Sequence, residues 1–221
     1  MVKFRKITLL LVVLMAGMIN NTYAQNYYVD DERTFYGGLI AGSTFSQVDG
    51  DNFAGYSKPG FTVGGIAYAE LANKIAGSVE ILYTQKGSKS NKTQQSNNKT
   101  YLITNYRIDL NYAEIPIMIN YFDKRKSHFG AGLSYSRLIN YKETVTTTPN
   151  FPNTINLDDY PFKKSDLNFL ISGSLHLYKG LFLTYRFQYS LFPVRTKIYP
   201  EFGRAEQYNN MHVLRLMYLF G

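Results

Sequence analysis

Three histidines, His128, His176 and His212, and a few charged residues within apolar stretches, Glu70, Glu80, Glu114, Arg186 and Arg215, carry the chemistry for proton transfer or metal binding in this chain. Their spacing assembles no such site. There is no G-x-S-x-G elbow, no H-E-x-x-H pair and no cysteine, and the GAGLSY run from Gly130 lacks the helix that a dinucleotide fingerprint requires. His128 and His176 fall near the same end of their segments, whereas His212 falls near the other. Asp49 to Asn52, DGDN, supplies too few oxygens for calcium and reads as a turn. No catalytic residue, metal site or cofactor is expected, and the chain is read as non-enzymatic.

The elements that hold these residues are strands. In LFLTYRFQYSL, Leu181, Leu183, Tyr185, Phe187, Tyr189 and Leu191 alternate with Thr184, Arg186, Gln188 and Ser190. The preceding segment repeats the pattern, with Leu167, Phe169, Ile171, Leu175 and Leu177 against Asn168, Ser172, Ser174 and His176. The tight Lys179-Gly180 turn between them predicts a hairpin. Similar segments run over Thr34 to Gln47, Lys58 to Leu71, Ile75 to Lys86, Asn105 to Phe122, His128 to Thr146 and Tyr208 to Phe220, which makes eight. The connections alternate between short and long, so short turns and long loops lie at opposite ends.

Residues 1–24 read as a Sec-type signal peptide: Lys3, Arg5 and Lys6 precede an apolar run from Ile7 to Ile19, with cleavage expected near Ala24-Gln25. That run is shorter than the ~20 residues a membrane-spanning helix needs. Removing residues 1–24 takes three positive charges from a formal net charge of +8. The remaining excess is modest, and no nucleic-acid partner is expected for an exported protein. Residues 25–33 then form a short periplasmic segment, and 34–221 the remaining domain.

An even number of alternating strands of roughly 10 residues or more, with loops of alternating length, predicts an all-β fold: an eight-stranded antiparallel transmembrane β-barrel, an up-and-down meander in a gram-negative outer membrane. A lipocalin-like soluble barrel also alternates, but with an apolar interior. Here the polar face is rich in Gly, Ser and Thr, and the chain carries 20 Tyr and 15 Phe. Tyrosine suits membrane interfaces, so Tyr83, Tyr106, Tyr141 and Tyr189 are expected in a girdle at the long-loop end and Tyr121, Tyr178 and Tyr218 in one at the short-turn end.

Glu80, Arg186 and Arg215 share the polar parity of their strands and fall at similar depth. They are expected to form an interior ion-pair network with Glu114, joined by Glu70, that fills a lumen just wide enough for side chains. A small channel is the alternative. In LNYAEIPIMINYF the apolar residues fall on even positions up to Tyr112 and on odd ones from Ile115, which predicts a β-bulge at Ala113-Glu114, with Pro116 tolerated beside it. Lys86, Lys89, Lys92 and Lys99, in or beside the polar loop from Gly87 to Thr100, and Arg137 are read as contacts for lipopolysaccharide phosphates.

GGLIAGSTFSQVDGDN, KPGFTVGG, VEILYTQKGSKS and LNYAEIPIMINYF together resemble segments of the PorT-like outer-membrane barrel proteins of Bacteroidota. The pairing of E-x-L-Y-x-x-K-G with L-N-Y-x-E-I-P is the most specific part. The resemblance implies an eight-stranded barrel in the outer membrane, and it implies little about activity. A structural or accessory role, with outer-membrane lipid, lipopolysaccharide or an envelope protein complex as partner, is the leading expectation. A subunit of a protein-export (type IX secretion-like) or barrel-assembly machine is the second, and a lipid-modifying enzyme the third.

Overall fold

Alternation of β-branched, aromatic and small polar residues yields nine strands in the computed structural model, which describes residues 34–53, 55–90, 92–150 and 157–220. The expected signal peptide and the segment 25–33 lie outside the described residues. The strands are β1 (Phe35–Asp51), β2 (Lys58–Ala72), β3 (Ile75–Lys89), β4 (Gln94–Gln95), β5 (Leu102–Phe122), β6 (His128–Thr148), β7 (Ser165–Tyr178), β8 (Leu181–Ser190) and β9 (Gly203–Leu219). All pairings between neighbours are antiparallel. β9 pairs with β1 and β3 pairs with β5, so eight long strands close a meander into a ring, and β4 is a two-residue branch on β5.

In the half of the barrel nearest the short turns, the apolar face points outward. Leu39, Val79, Ile81, Ile117, Ile119, Leu133, Ile171, Leu175, Leu214 and Leu216 form an exposed apolar wall around the ring. Ser78, Thr84, Ser134, Ser172, Ser174 and Thr184 point inward and are buried. Tyr121, Tyr178 and Tyr218 are exposed at the short-turn rim.

Toward the long loops the arrangement inverts. β5 and β6 are each 21 residues long, about twice what a tilted strand needs to cross a membrane. Beyond Ala113, β5 turns Asn111, Asp109 and Arg107 outward and buries Tyr112, Leu110, Ile108 and Tyr106 completely. With Val48, Phe53, Ile103, Phe162, Val194 and Phe202 they form an apolar core inside the upper barrel. The upper part is therefore built like a soluble barrel, with apolar residues in and polar residues out.

This inversion corrects the expected bulge. Burial alternates without interruption from Tyr106 to Phe122, so even positions face inward throughout, including Ala113's neighbours Tyr112 and Glu114. The switch from even to odd apolar positions at Ala113-Glu114 marks a change of surroundings. No residue is inserted there. Pro116 is accommodated by a gap instead: β3–β5 pairing stops at Val79 with Ile117 and resumes at Leu82 with Glu114. The irregularity of β6 lies at Ile139, skipped between Tyr112 opposite Leu138 and Asn111 opposite Asn140. It turns Tyr141 and Val145 toward the upper core. The same inversion removes Tyr106 and Tyr141 from the expected girdle, because both pack inward.

Candidate functional site

The inward parity of the strands gathers six ionised side chains in the middle of the barrel. Glu80 on β3 receives two guanidinium forks. Arg186 of β8 donates from both terminal nitrogens, at 2.6 and 2.9 Å, and Arg215 of β9 does so at 2.8 and 2.9 Å. Arg186 also touches the Met118 sulfur at 3.1 Å. Arg215 fits because its partner on β1 is Gly42, where an added Cβ would lie 2.4 Å from the Arg215 Cβ.

Glu114 does not join the arginines directly. Its Oε1 lies 2.6 Å from Lys86 Nζ and accepts hydrogen bonds from Ser136 Oγ at 2.8 Å and Gln188 Nε2 at 3.0 Å. Lys86 also donates to Asp166 at 3.4 Å and to Asn168 at 3.2 Å, and its ammonium stands 4.8 Å from the Tyr112 ring centroid. Asn209 donates to Asp166 at 2.9 Å and to the Tyr112 hydroxyl at 3.2 Å. The arginine group carries one surplus positive charge and the lysine group one surplus negative charge. Together, three cations neutralise three anions in a region with no solvent exposure to speak of.

Apolar clusters close both ends of this charged layer. On the short-turn side, Tyr36, Ile40, Ile66, Tyr68, Phe122 and Phe182 belong to one buried cluster, and Tyr68, Phe122 and Phe182 pack against the His128 ring, whose Nε2 lies 3.0 Å from the Tyr68 hydroxyl. On the long-loop side lies the upper core, crossed by the Arg195–Glu143 pair at 2.9 Å, with the guanidinium 4.5 Å from the Phe162 ring centroid. The layer is sealed above and below, so it resembles a packed core more than a path for solutes.

Two expected members fall elsewhere. Glu70 is exposed at the short-turn rim, beside the end of β2–β3 pairing, and takes no part in the network. Lys86 was expected to face lipid phosphates but is fully buried, because its even parity on β3 is that of Glu80. Of the other loop cations, Lys92 and Lys99 are exposed, Lys89 is half-buried and Arg137 is exposed on the outer wall. Asp166 was missed, although it shares the parity of Asn168 and Ser172.

The polar loop after β3 is also more tied down than its composition suggests. Asn97 donates to the carbonyls of Pro200 and Gly203 at 2.6 and 2.9 Å, and Asn98 Nδ2 donates to Glu201 at 2.9 Å. Asp49 and Asp51 face opposite sides of β1. The first accepts from Asn210 and Gln47, and the second accepts the Phe53 N–H. Among the described residues no three His, Cys, Asp or Glu side chains converge on a metal position.

A protein-family model described as "Outer membrane protein beta-barrel domain" matches residues 23–195. Comparison with curated proteins finds no significant match. Similar solved structures include Ail, the attachment invasion locus protein of Yersinia pestis, at 12% identity and a TM-score of 0.42, covering 85% of this chain and 100% of that one. Neisserial surface protein A is similar at 11% identity and a TM-score of 0.44, with 85% and 98% covered. The outer membrane protein AlkL, in lipid bilayers, is similar at 13% identity and a TM-score of 0.39, with 89% and 96% covered.

Proposed function

Because the chain belongs to the outer membrane protein β-barrel domain family, we propose that it is a sealed, non-enzymatic barrel that serves as a structural or accessory component of the outer membrane. Its apolar wall faces lipid, and its upper barrel rises on the cell-surface side, where lipopolysaccharide or an envelope protein is the partner. The observation that carries this reading is the charge-balanced layer of Glu80, Arg186, Arg215, Lys86, Glu114 and Asp166, closed at both ends by apolar side chains. Ions crossing it would have to break pairs that no water can replace. Planar bilayer recordings on purified protein test the reading: no reproducible unitary conductance is expected, and a stable one would refute the sealed core.

The second reading is a subunit of a PorT-like protein-export machine, favoured by the sequence resemblance. E-x-L-Y-x-x-K-G supplies Glu80, Leu82, Lys86 and Gly87, and L-N-Y-x-E-I-P supplies Tyr112, Glu114 and Pro116. Most of these residues build the interior layer, so the shared motifs bear on architecture more than on activity. Co-purification in mild detergent separates the two readings, since a stoichiometric envelope partner supports the machine and its repeated absence supports a free-standing barrel.

A further inference from the structure

On the outer wall of β3, β5 and β6, apolar surface gives way to a band that carries cations from the position of Ala113 to that of Arg107, with the exposed Ile139 among them. Ile81, Ile115, Ile117, Leu133 and Tyr135 are exposed below it. Immediately above, β6 presents Arg137, paired across the sheet with Ala113, and then Lys142, paired with Asp109. β5 presents Arg107, whose partner on β3 is Lys89. Residues paired across an antiparallel ladder share a face, so Lys89 and Arg107 put like charges directly opposite each other, an arrangement that destabilises a sheet unless an anion intervenes.

One acid stands among them, and it is already engaged. Asp109 accepts both nitrogens of the Arg107 fork, at 2.7 and 2.9 Å, and lies 3.0 Å from Lys58 Nζ. Arg107 and the buried Lys58 thus share one carboxylate, and Lys89, Lys142 and Arg137 on the outer face have no anion assigned to them by any of these bonds. The patch lies where acyl chains on the apolar wall would end and the headgroups would begin.

We propose that this face binds the phosphate groups of a phosphorylated outer-leaflet glycolipid, with its acyl chains on the wall formed by Ile115, Ile117 and Leu133. Lys89, Arg107 and Lys142 grip the phosphate, and Arg137 marks the boundary with the chains. Asp109 orients the Arg107 guanidinium. The proposal rests on the reading that the long-loop end faces the cell surface, and it replaces Lys86, Lys92 and Lys99 as the lipid contacts with residues in sheet register.

The test uses the full chain folded in detergent and titrated with diphosphoryl lipid A, read by native mass spectrometry. The wild type is expected to retain lipid A, and the Lys89→Gln, Arg107→Gln, Lys142→Gln triple variant to bind at least about tenfold more weakly. These outward positions leave the sealed lumen untouched, so heat-modifiable gel migration, expected to be unchanged, shows that the variant is folded. Equal retention by the triple variant would overturn the proposal. So would competition by millimolar inorganic phosphate as effective as that by lipid A, which would mark a free-anion site. Loss of the heat-modifiable fold in the wild type would instead overturn the barrel reading.

Discussion

Glu80 and Arg186, 106 residues apart in the chain, meet inside the barrel through two hydrogen bonds of 2.9 and 2.6 Å. Arg215 makes the same fork to the same carboxylate. One acid thus ties β3 to β8 and β9 across the lumen.

Glu80→Gln removes the counter-charge of both guanidiniums while keeping the shape of the side chain. Breaking a buried pair by removing one partner costs about 3 to 5 kcal/mol. The midpoint of heat-dependent gel migration should fall well below that of the wild type. Replacing Glu80, Arg186 and Arg215 together by Leu and Met removes the charges along with their desolvation cost, so it should be tolerated better than Glu80→Gln alone. A triple variant that is less stable than the single one would contradict this account.

Lys86→Met leaves Glu114 and Asp166 facing each other without a cation, whereas Lys92→Met alters an exposed side chain. Refolding yield into detergent should drop sharply for the first and stay at the wild-type level for the second. Glu114→Leu should likewise impair refolding more than Asp109→Leu, whose carboxylate is partly exposed. Equal tolerance of all four would mean that the buried layer does not stabilise the fold.

What the sequence makes legible follows from which ambiguities local pattern can resolve. Leu181 to Leu191 alternate in only one sensible way, and the wall they form lies where alternation predicts. Tyr106 to Tyr112 alternate just as cleanly, but alternation does not say whether the apolar face meets lipid or a core. The upper barrel takes the second solution, and a bulge at Ala113-Glu114 is needed only if the first is assumed. The parity of Lys86 with Glu80, and of Asp166 with Asn168, was open to inspection. Which charges meet across the lumen was not, because that depends on the stagger of the closed ring. The clamp of Asn97 and Asn98 onto the 200–203 loop joins residues about a hundred positions apart and has no local signature.

Deletion of Ile139 tests the register of the upper barrel directly. Leu138 already opposes Tyr112 and Asn140 opposes Asn111, so without the extra residue Asn140 follows Leu138 and the strand beyond it keeps its partners, with Tyr141 still opposite Leu110 and facing the core. The deletion should therefore leave hydrogen-exchange protection of β5 and β6 beyond Tyr112, and heat-modifiable migration, close to the wild type. Loss of protection over residues 102–111 would show that Tyr141 and Val145 do not reach the core through this register.

Glu201 gives the upper loops a dependence on pH. Burial by itself would raise its carboxyl, but hydrogen bonds from Ser96 and from the backbone and side chain of Asn98 outweigh that and hold it below the usual glutamate range. A carboxyl lowered in the folded state contributes stability that is fully present above its unfolded value, near pH 4.3, and lost as pH falls through the folded value. The contact between residues 96–101 and 200–203 should therefore hold at neutral pH and loosen in acid below about pH 4. Hydrogen exchange of the Asn98 and Tyr101 amides, measured at several pH values after correction for intrinsic rates, should show that transition. In Glu201→Gln the side chain keeps an acceptor but has no charge to lose, so protection should be weaker at neutral pH and nearly flat across the acid range. An acid transition of wild-type size in Glu201→Gln would assign the loosening to another group.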